Sequence, residues 1–332
     1  MPTAFVTGAT GFVGLNLVEL LQRSGWRVVA AHRATSDLSL LRPLGPQLVE
    51  ADSRDAGAIT AAMPRGVHAV FHVAANTSLW RRRDAEQYRD NVEGTRNVVG
   101  AALARDAGRL IHTSSLAAYG LHDGAVVDEH TESTAADSPI GYLRSKWLAE
   151  QEVRAGIDRG LDAVIVAPSN VLGRYDPGNW SRIVGWLRDG RLPVVPPGAT
   201  TFCHAPGVAQ AHVAAYERGR RGESYLLGGT HASILEMVQA VAACLGVAAP
   251  RKTVSARALA VYARLADWAA VVTGREPRIT PEMATLFSAT TRCDCSKAVR
   301  ELGFRPVAMS VMVEETVRWV LHGDEARKRE AA

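Results

Sequence analysis

The chain has 332 residues, 47% apolar and 22% charged, with a net charge of +4. That length is more than one comfortable core needs and fits two lobes, or one large α/β domain with an appendage. The mild, dispersed basicity argues against a nucleic-acid surface, and no run of eighteen uncharged apolar residues offers a membrane span.

The start, MPTAFVTG, has no basic region leading into an apolar run and goes straight into a strand. Four cysteines (Cys203, Cys244, Cys293, Cys295) are too few for a disulfide framework, and Cys293-x-Cys295 lacks zinc-knuckle spacing. A reduced, cytoplasmic protein without a metal site is the expectation.

Taken in chain order, TAFVTG reads as the first strand, and FVGLNLVELLQRSG as an amphipathic helix stopped at Gly25. WRVVAAHR, PQLVEAD, AVFHVAA, RLIHTSS and DAVIVAPSN follow as strands two to six, with helical stretches between them. The third and sixth are bounded by turn formers, as expected of strands buried on both faces. Strand–helix alternation predicts a doubly wound parallel sheet. WRRRDAE reads as a solvated helix start, and ESYLLGG (about 223–229) as a late strand rejoining the sheet. From Gly173 the alternation breaks into a Pro-, Gly- and Trp-rich stretch, and helices dominate from Ser233 to Asp267. The expected division is a dinucleotide-binding domain over 1–172 and a smaller, mainly helical substrate lobe over 173–332, with a frayed tail, GDEARKREAA.

Two stretches carry chemistry. VTGATGFVG sets Gly8, Gly11 and Gly14 between a strand and a helix. The first permits the tight turn, the second lets backbone approach a phosphate, and the third lets helix and strand pack closely. A pyrophosphate would rest on the helix N-terminus, whose free N–H groups and dipole favour an anion. The second strand ends AAHRATSD, with Arg33 at its tip and no acid before Asp37. An acid there takes the ribose 2′-hydroxyl of NAD, whereas a cation suits the 2′-phosphate of NADP. Arg33, helped by Thr35 or Ser36, therefore favours NADP, with NAD as the alternative.

The other stretch is GYLRSKWLAE. The chain has only four lysines (Lys146, Lys252, Lys297, Lys328) against 34 arginines, and Lys146 is the sole lysine in the first 251 residues. It stands four residues after Tyr142, on the same helix face. A nearby ammonium stabilises a phenolate and brings a tyrosine's pKa down from about 10 towards the operating pH. Arginine is bulkier and forked, so it does not replace a compact rotating donor.

These segments resemble the extended short-chain dehydrogenase/reductases of the NAD-dependent epimerase/dehydratase superfamily, and the match runs over nearly the whole chain in order. TGATGFVG resembles the family's glycine motif, which implies cofactor contacts at Gly8, Thr10, Gly11, Phe12 and Val13. EADSRD implicates Asp52 and Ser53 beside the adenine, HVAAN places Ala74 and Ala75 against the cofactor, and NVEGTRNV is similar to the helix-four signature at Asn91 and Thr95. HTSSLAAYG and YLRSK resemble the Ser and Tyr-x-x-x-Lys catalytic segments, and APSNVLG brings Pro168 and Asn170 to the nicotinamide end. The resemblance implies a Rossmann-like fold and a triad of Ser115, Tyr142 and Lys146. Ser115, four residues before Tyr119, has the family's spacing, while Ser114 reads as a strand-end residue that packs or bonds backbone.

Asn170 either bonds substrate or shapes its loop, and Trp80 and Trp180 either face an apolar substrate or pack. FHVAANTSLW, YLLGGTHASILEMV and TGREPRIT resemble dihydroflavonol 4-reductase-like, hydroxysteroid dehydrogenase-like and hopanoid-associated sugar epimerase-like members.

His204 lies where relatives often carry HVDDVA, and Ala205, Pro206 and Gly207 replace the middle of that motif, its acids included. The remaining histidines read as ordinary polar residues. Nucleotide-sugar enzymes commonly have an arginine in a GxGxQxRDF-like segment, but here LPVVPPGATTFCHAPGVA has none, leaving Arg174 or Arg182 to meet a diphosphate. The implied function is reduction of a moderately apolar ketone or aldehyde, or oxidation of the alcohol. A nucleotide-sugar epimerase or dehydratase with bound NAD and a cofactor-sensing binding protein are the alternatives. The expected partner is a small carbonyl or alcohol substrate; relatives pair through the helices bearing Asn91 and Tyr142, so a homodimer and a monomer both stay open.

Overall fold

The computed structural model describes residues 1–192 and 194–330, with side chains described as far as Gly323 in the last helix. The expectation of a frayed tail falls mainly beyond those side chains. Strand β1 (Thr3–Thr7) has four of its five residues buried and starts the central sheet. It runs into helix α1 (Phe12–Arg23), which buries Leu15, Leu17, Val18 and Leu21 at helical spacing and ends before Gly25, whose φ of 75° suits only glycine comfortably.

The sheet continues with β2 (Arg27–His32), β3 (Gln47–Glu50), β4 (Ala69–His72) and β5 (Arg109–Thr113). A two-residue strand β6 (Val126–Val127) lies outside it, and β7 (Ala163–Pro168) returns to it. Further on come β8 (Asn170–Leu172), β9 (Ala199–His204), β10 (Ser224–Leu227), β11 (Thr230–Ser233) and β12 (Arg292–Cys293). Seven parallel strands stand in the order β10-β7-β5-β4-β1-β2-β3. β7 is buried at all six positions, as a strand covered on both faces should be. β3 is not: it is the sheet's edge, with Gln47 and Glu50 exposed and none of its residues fully buried. The turn formers around PQLVEAD mark its ends correctly but carry no information about its place in the sheet.

Helices cover both faces. α2 (Ala56–Ala62), α4 (Gly94–Ala104) and α5 (Gly141–Asp158) pack over Phe5, Val29, Val70, Leu110 and Ile165, with the short α3 (Asp84–Tyr88) against α5. On the other face α1 and α7 (Ala205–Arg218) pack over Val6, Val28, Phe71, Ile111 and Tyr225. Strand order reverses between β1 and β4, which opens a crevice at the carboxyl ends of the strands.

The second lobe is built around a small sheet ordered β11-β9-β8. α6 (Arg182–Arg188), α8 (Ile234–Leu245) and α12 (Met309–Glu330) enclose a separate core of Leu172, Val184, Phe202, Met237, Val238 and Met312. A reciprocal pair of hydrogen bonds between Ser233 and Glu236 caps α8 at its start. α9 (Ala256–Thr273) and α10 (Pro281–Ser288) form a satellite with its own small cluster around Leu259, Ala263 and Ala284. α11 (Ser296–Leu302) packs against α7.

The triple arginine of WRRRDAE does not simply face solvent. Arg81 pairs with buried Asp267 of α9 at 3.0 Å, Arg82 reaches the carbonyl of Ala270, and Arg83 lies 3.9 Å from Glu276. The lobes are also tied through Arg174, which meets Glu19 of α1 at 2.6 Å and Glu315 of α12 at 3.5 Å. His204 hydrogen-bonds the same Glu315. An acid from the last helix thus stands beside His204, where the next residues along the chain supply none.

Candidate active site

A cavity of about 1420 Å³ occupies the crevice and runs from the ends of β1, β2 and β3 into the second lobe. Its floor begins at Gly8, held at φ 69°; a Cβ there would sit 2.4 Å from the Ala74 nitrogen. A Cβ on Gly14 would sit 2.0 Å from the Gly8 oxygen, so this turn and its helix fit only glycine. A Cβ on Gly11 would meet nothing closer than that oxygen at 3.3 Å. No side chain caps α1. Its first turn therefore opens on the cavity through Thr10, Gly11, Phe12 and Val13, an arrangement suited to an anion. The cradle fits a dinucleotide pyrophosphate.

Arg33 and Ser36 line the same cavity, with the Arg33 backbone N–H donating to the Ser36 hydroxyl at 3.1 Å. Asp52, Ser53, Ala74 and Ala75 line it as well. Burial raises the Asp52 carboxyl's pKa, but Arg54, 2.6 Å away, outweighs that and holds it below the ordinary value. Asn91 does not line the cavity. It sits buried in a widened helical turn, accepts from the Asn76 N–H at 2.7 Å, and donates to the Asn76 carbonyl at 2.9 Å and the Ser145 hydroxyl at 3.0 Å. With Gln87, which donates to the carbonyls of Asn76 and Ser78, it fixes the loop after β4 to α5.

Ser115, Tyr142 and Lys146 meet in the middle of the cavity wall. Ser115 caps a single 3₁₀ turn over Leu116–Tyr119, accepting the Ala117 N–H at 3.2 Å. Its hydroxyl stands near the Tyr142 phenol and favours the phenolate, lowering the phenol's pKa. Tyr142 lies in the first turn of α5, and Lys146, 2% exposed, lies one turn on. The lysine ammonium donates to the Thr113 carbonyl at 2.8 Å.

Glu150 occupies the next turn. It is buried, accepts a hydrogen bond from Ser114, and lies 3.8 Å from Arg154. The Ser114 side chain thus binds a carboxylate rather than backbone. Sequence reading passed over Glu150, although its place four residues beyond Lys146 was the available signal.

The titration of this group differs from the expectation. Burial raises the Tyr142 phenol above its ordinary pKa, and the Ser115 hydroxyl offsets only part of that. The Lys146 ammonium is turned to the Thr113 carbonyl. Burial instead lowers Lys146 to about 8, with Glu150 working in the opposite direction. Burial likewise raises Glu150, against Ser114, Arg154 and Lys146. Behind the site three histidines are fully buried. His72 bridges Thr7 and Thr95, His212 joins Thr113 to the Val208 carbonyl, and both ring nitrogens of His112 lack a protein partner.

At the far end Pro168 and Asn170 line the cavity, and the Asn170 amide donates to Thr200 at 2.7 Å, tying β8 to β9. Trp180 lines it too, edge-on to Phe202 at 5.3 Å and tilted against Phe287 at 5.7 Å. Trp80 does not: it is 8% exposed, outside the lining, with the Arg82 guanidinium 5.7 Å from its ring centre. Its apolar bulk is spent on packing. Trp186, Leu192, Val238, Ile279, Met283 and Leu286 complete an apolar chamber that the sequence did not disclose, because its walls come from segments up to a hundred residues apart.

Sheet topology, glycine cradle and the Ser–Tyr–Lys wall together define an NAD(P)-dependent oxidoreductase of the extended short-chain dehydrogenase/reductase type. Residues 4–228 match the NAD dependent epimerase/dehydratase family, and the chain belongs to it. It is 33% identical to a putative dihydroflavonol 4-reductase of Synechocystis sp. over 95% of this chain and 93% of that one. It is 32% identical to sterol demethylase protein B of Methylococcus capsulatus, over 96% and 98%. The solved UDP-glucose-4-epimerase of Stenotrophomonas maltophila, with bound NAD and formylated UDP-arabinopyranose, superposes with a TM-score of 0.80 at 25% identity, covering 98% of this chain and all of that one.

Proposed function

We propose that the protein is an NADP(H)-dependent reductase of a ketone or aldehyde on a moderately apolar small molecule, or the reverse dehydrogenase. The observation that carries this reading is the Tyr142 phenol, held in its acid form by burial beside Ser115, at the head of an apolar chamber. A bound nicotinamide cofactor supplies the hydride. Tyr142 gives its phenolic proton to the substrate oxygen, and Ser115 hydrogen-bonds the same oxygen and stabilises the charge developing there. Lys146 holds the cofactor ribose and is the cation available to a phenolate left behind. Arg33 and Ser36 hold the 2′-phosphate, which is the basis for preferring NADP to NAD; Gly8, Thr10, Gly11, Phe12 and Val13 hold the pyrophosphate.

A nucleotide-sugar epimerase is the second reading, supported by Arg182 in the cavity lining. Against it, Arg174 is committed to Glu19 and Glu315 and does not line the cavity. The test is to denature freshly purified protein and identify any nucleotide released. Little nucleotide, with NADPH binding more tightly than NADH and being consumed on adding an aryl or alicyclic ketone, is the expected result. Stoichiometric NAD would overturn it in favour of the epimerase.

A further inference from the structure

Helix α9 (Ala256–Thr273) is held to the protein along one face, by Leu259, Ala263, Asp267 and Ala270. Its opposite face is apolar and open. Val261 is 57% exposed, Tyr262 54%, Leu265 65%, Trp268 76% and Val272 89%. Positions 261, 265, 268 and 272 recur every three or four residues, with Tyr262 alongside, so they form one stripe. Scattered apolar residues on a surface mean little, but a contiguous stripe with a tryptophan at its centre marks a binding face.

The exposed charges around the stripe are predominantly positive, Glu276 being the exception. Arg257 and Arg264 are the helix's exposed charged residues, and Arg251, Lys252, Arg275 and Arg278 flank it, all exposed. The acids of this region are neutralised from behind: Asp267 pairs with Arg81 at 3.0 Å, and Glu276 lies 3.9 Å from Arg83. An apolar stripe rimmed by cations complements a layer with an apolar interior and an anionic surface. Among the described residues no helix is long and apolar enough to cross a membrane, so this one would lie in the interface plane.

We infer that α9 is a membrane-surface anchor, its Val261–Val272 face entering an anionic phospholipid layer and its rim arginines meeting the phosphates. The same helix supplies a wall of the cavity through Ala258, Leu259 and Tyr262. An apolar substrate dissolved in the lipid would thus meet the chamber mouth where the protein docks. That consequence rests on the carbonyl-reductase reading; the binding itself does not.

The test is flotation of the full chain with phosphatidylcholine vesicles, with and without phosphatidylglycerol. The protein is expected to float with the anionic vesicles and to be released as salt rises from about 0.1 M towards about 1 M. Combining Leu265→Ser, Trp268→Ser and Val272→Ser should weaken binding about tenfold or more, as should Arg257→Glu with Arg264→Glu. All of these side chains are exposed, so unchanged melting temperature and NADPH affinity establish that the variants fold. Absence of flotation, or a triple-serine variant that floats like the parent, would overturn the inference. So would a dimer that the triple variant dissociates and that ignores vesicles, because the face would then belong to a second copy. Tyr142→Phe should float normally, which separates failure of the anchor from failure of the catalytic reading.

Discussion

Lys146 gains its importance from its surroundings more than from its spacing. An ammonium 2% exposed, donating to the Thr113 carbonyl, has little room for the larger guanidinium. Lys146→Arg is therefore expected to lower turnover by about 10²- to 10⁴-fold, the range of a displaced acid–base group; unchanged turnover would make it an ordinary cation. Its pH dependence is a sharper check. Burial lowers Lys146 to about 8, so its charge is present below that pH and lost as pH rises through it. Cofactor affinity should fall over that window in the parent protein, and binding titrations at several pH values would show it. Arg33→Ala is the companion test at the other end of the cavity. Loss of a charge-assisted contact worth about 1.5–3 kcal/mol should weaken NADPH about ten- to a hundredfold and leave NADH nearly unchanged. Equal weakening of both would remove Arg33 from the phosphate.

At the scale of elements, α5 acts as a rail that presents Tyr142, Lys146, Glu150 and Arg154 at successive turns. The rail is located by Asn91, whose three hydrogen bonds join the loop after β4 to Ser145. Asn91→Ala would leave the half-buried Asn76 N–H without its acceptor, at a cost of about 1–3 kcal/mol, while the Asn76 carbonyl keeps its bond from Gln87. Denaturant unfolding should report that loss, and KM for the cofactor should rise because Ala74 and Ala75 precede the freed loop. This part of the site was only half legible in the sequence. Helical spacing identified the Tyr142–Lys146 pair, and the glycine turn was identified by where it fell between strand and helix. Whether Asn91 touches a ligand or a neighbouring loop depends on packing between elements, which no local pattern encodes. Trp80 and Trp180 make the same point, since only the fold decided that one packs and the other lines the cavity. β3 reads as strongly as β7 in sequence, yet only β7 has neighbours on both sides.

On the scale of the whole molecule, the wall of Ser115, Tyr142 and Lys146 is backed by buried histidines in the sheet and its facing helix. Burial lowers His72 to about 3 and His212 to about 4, and pushes His112 well below its ordinary value. In the unfolded chain each would titrate near 6.5, so below that pH the unfolded state binds more protons than the folded one. Stability must then fall as pH drops from about 6.5 towards 4, and the loss is complete only below the folded values. Each pKa unit corresponds to about 1.4 kcal/mol, so the loss at the lower end is several kcal/mol, comparable with the whole stability of a domain. The expected outcome is cooperative unfolding in mildly acidic buffer, between about pH 4 and 6, detected by circular dichroism. His212→Gln keeps a group able to bond Thr113 but removes the titration, so it should move the midpoint to lower pH. An unchanged midpoint in His212→Gln, His72→Gln and the double variant would show that carboxylates, not these histidines, govern the acid limit of the fold.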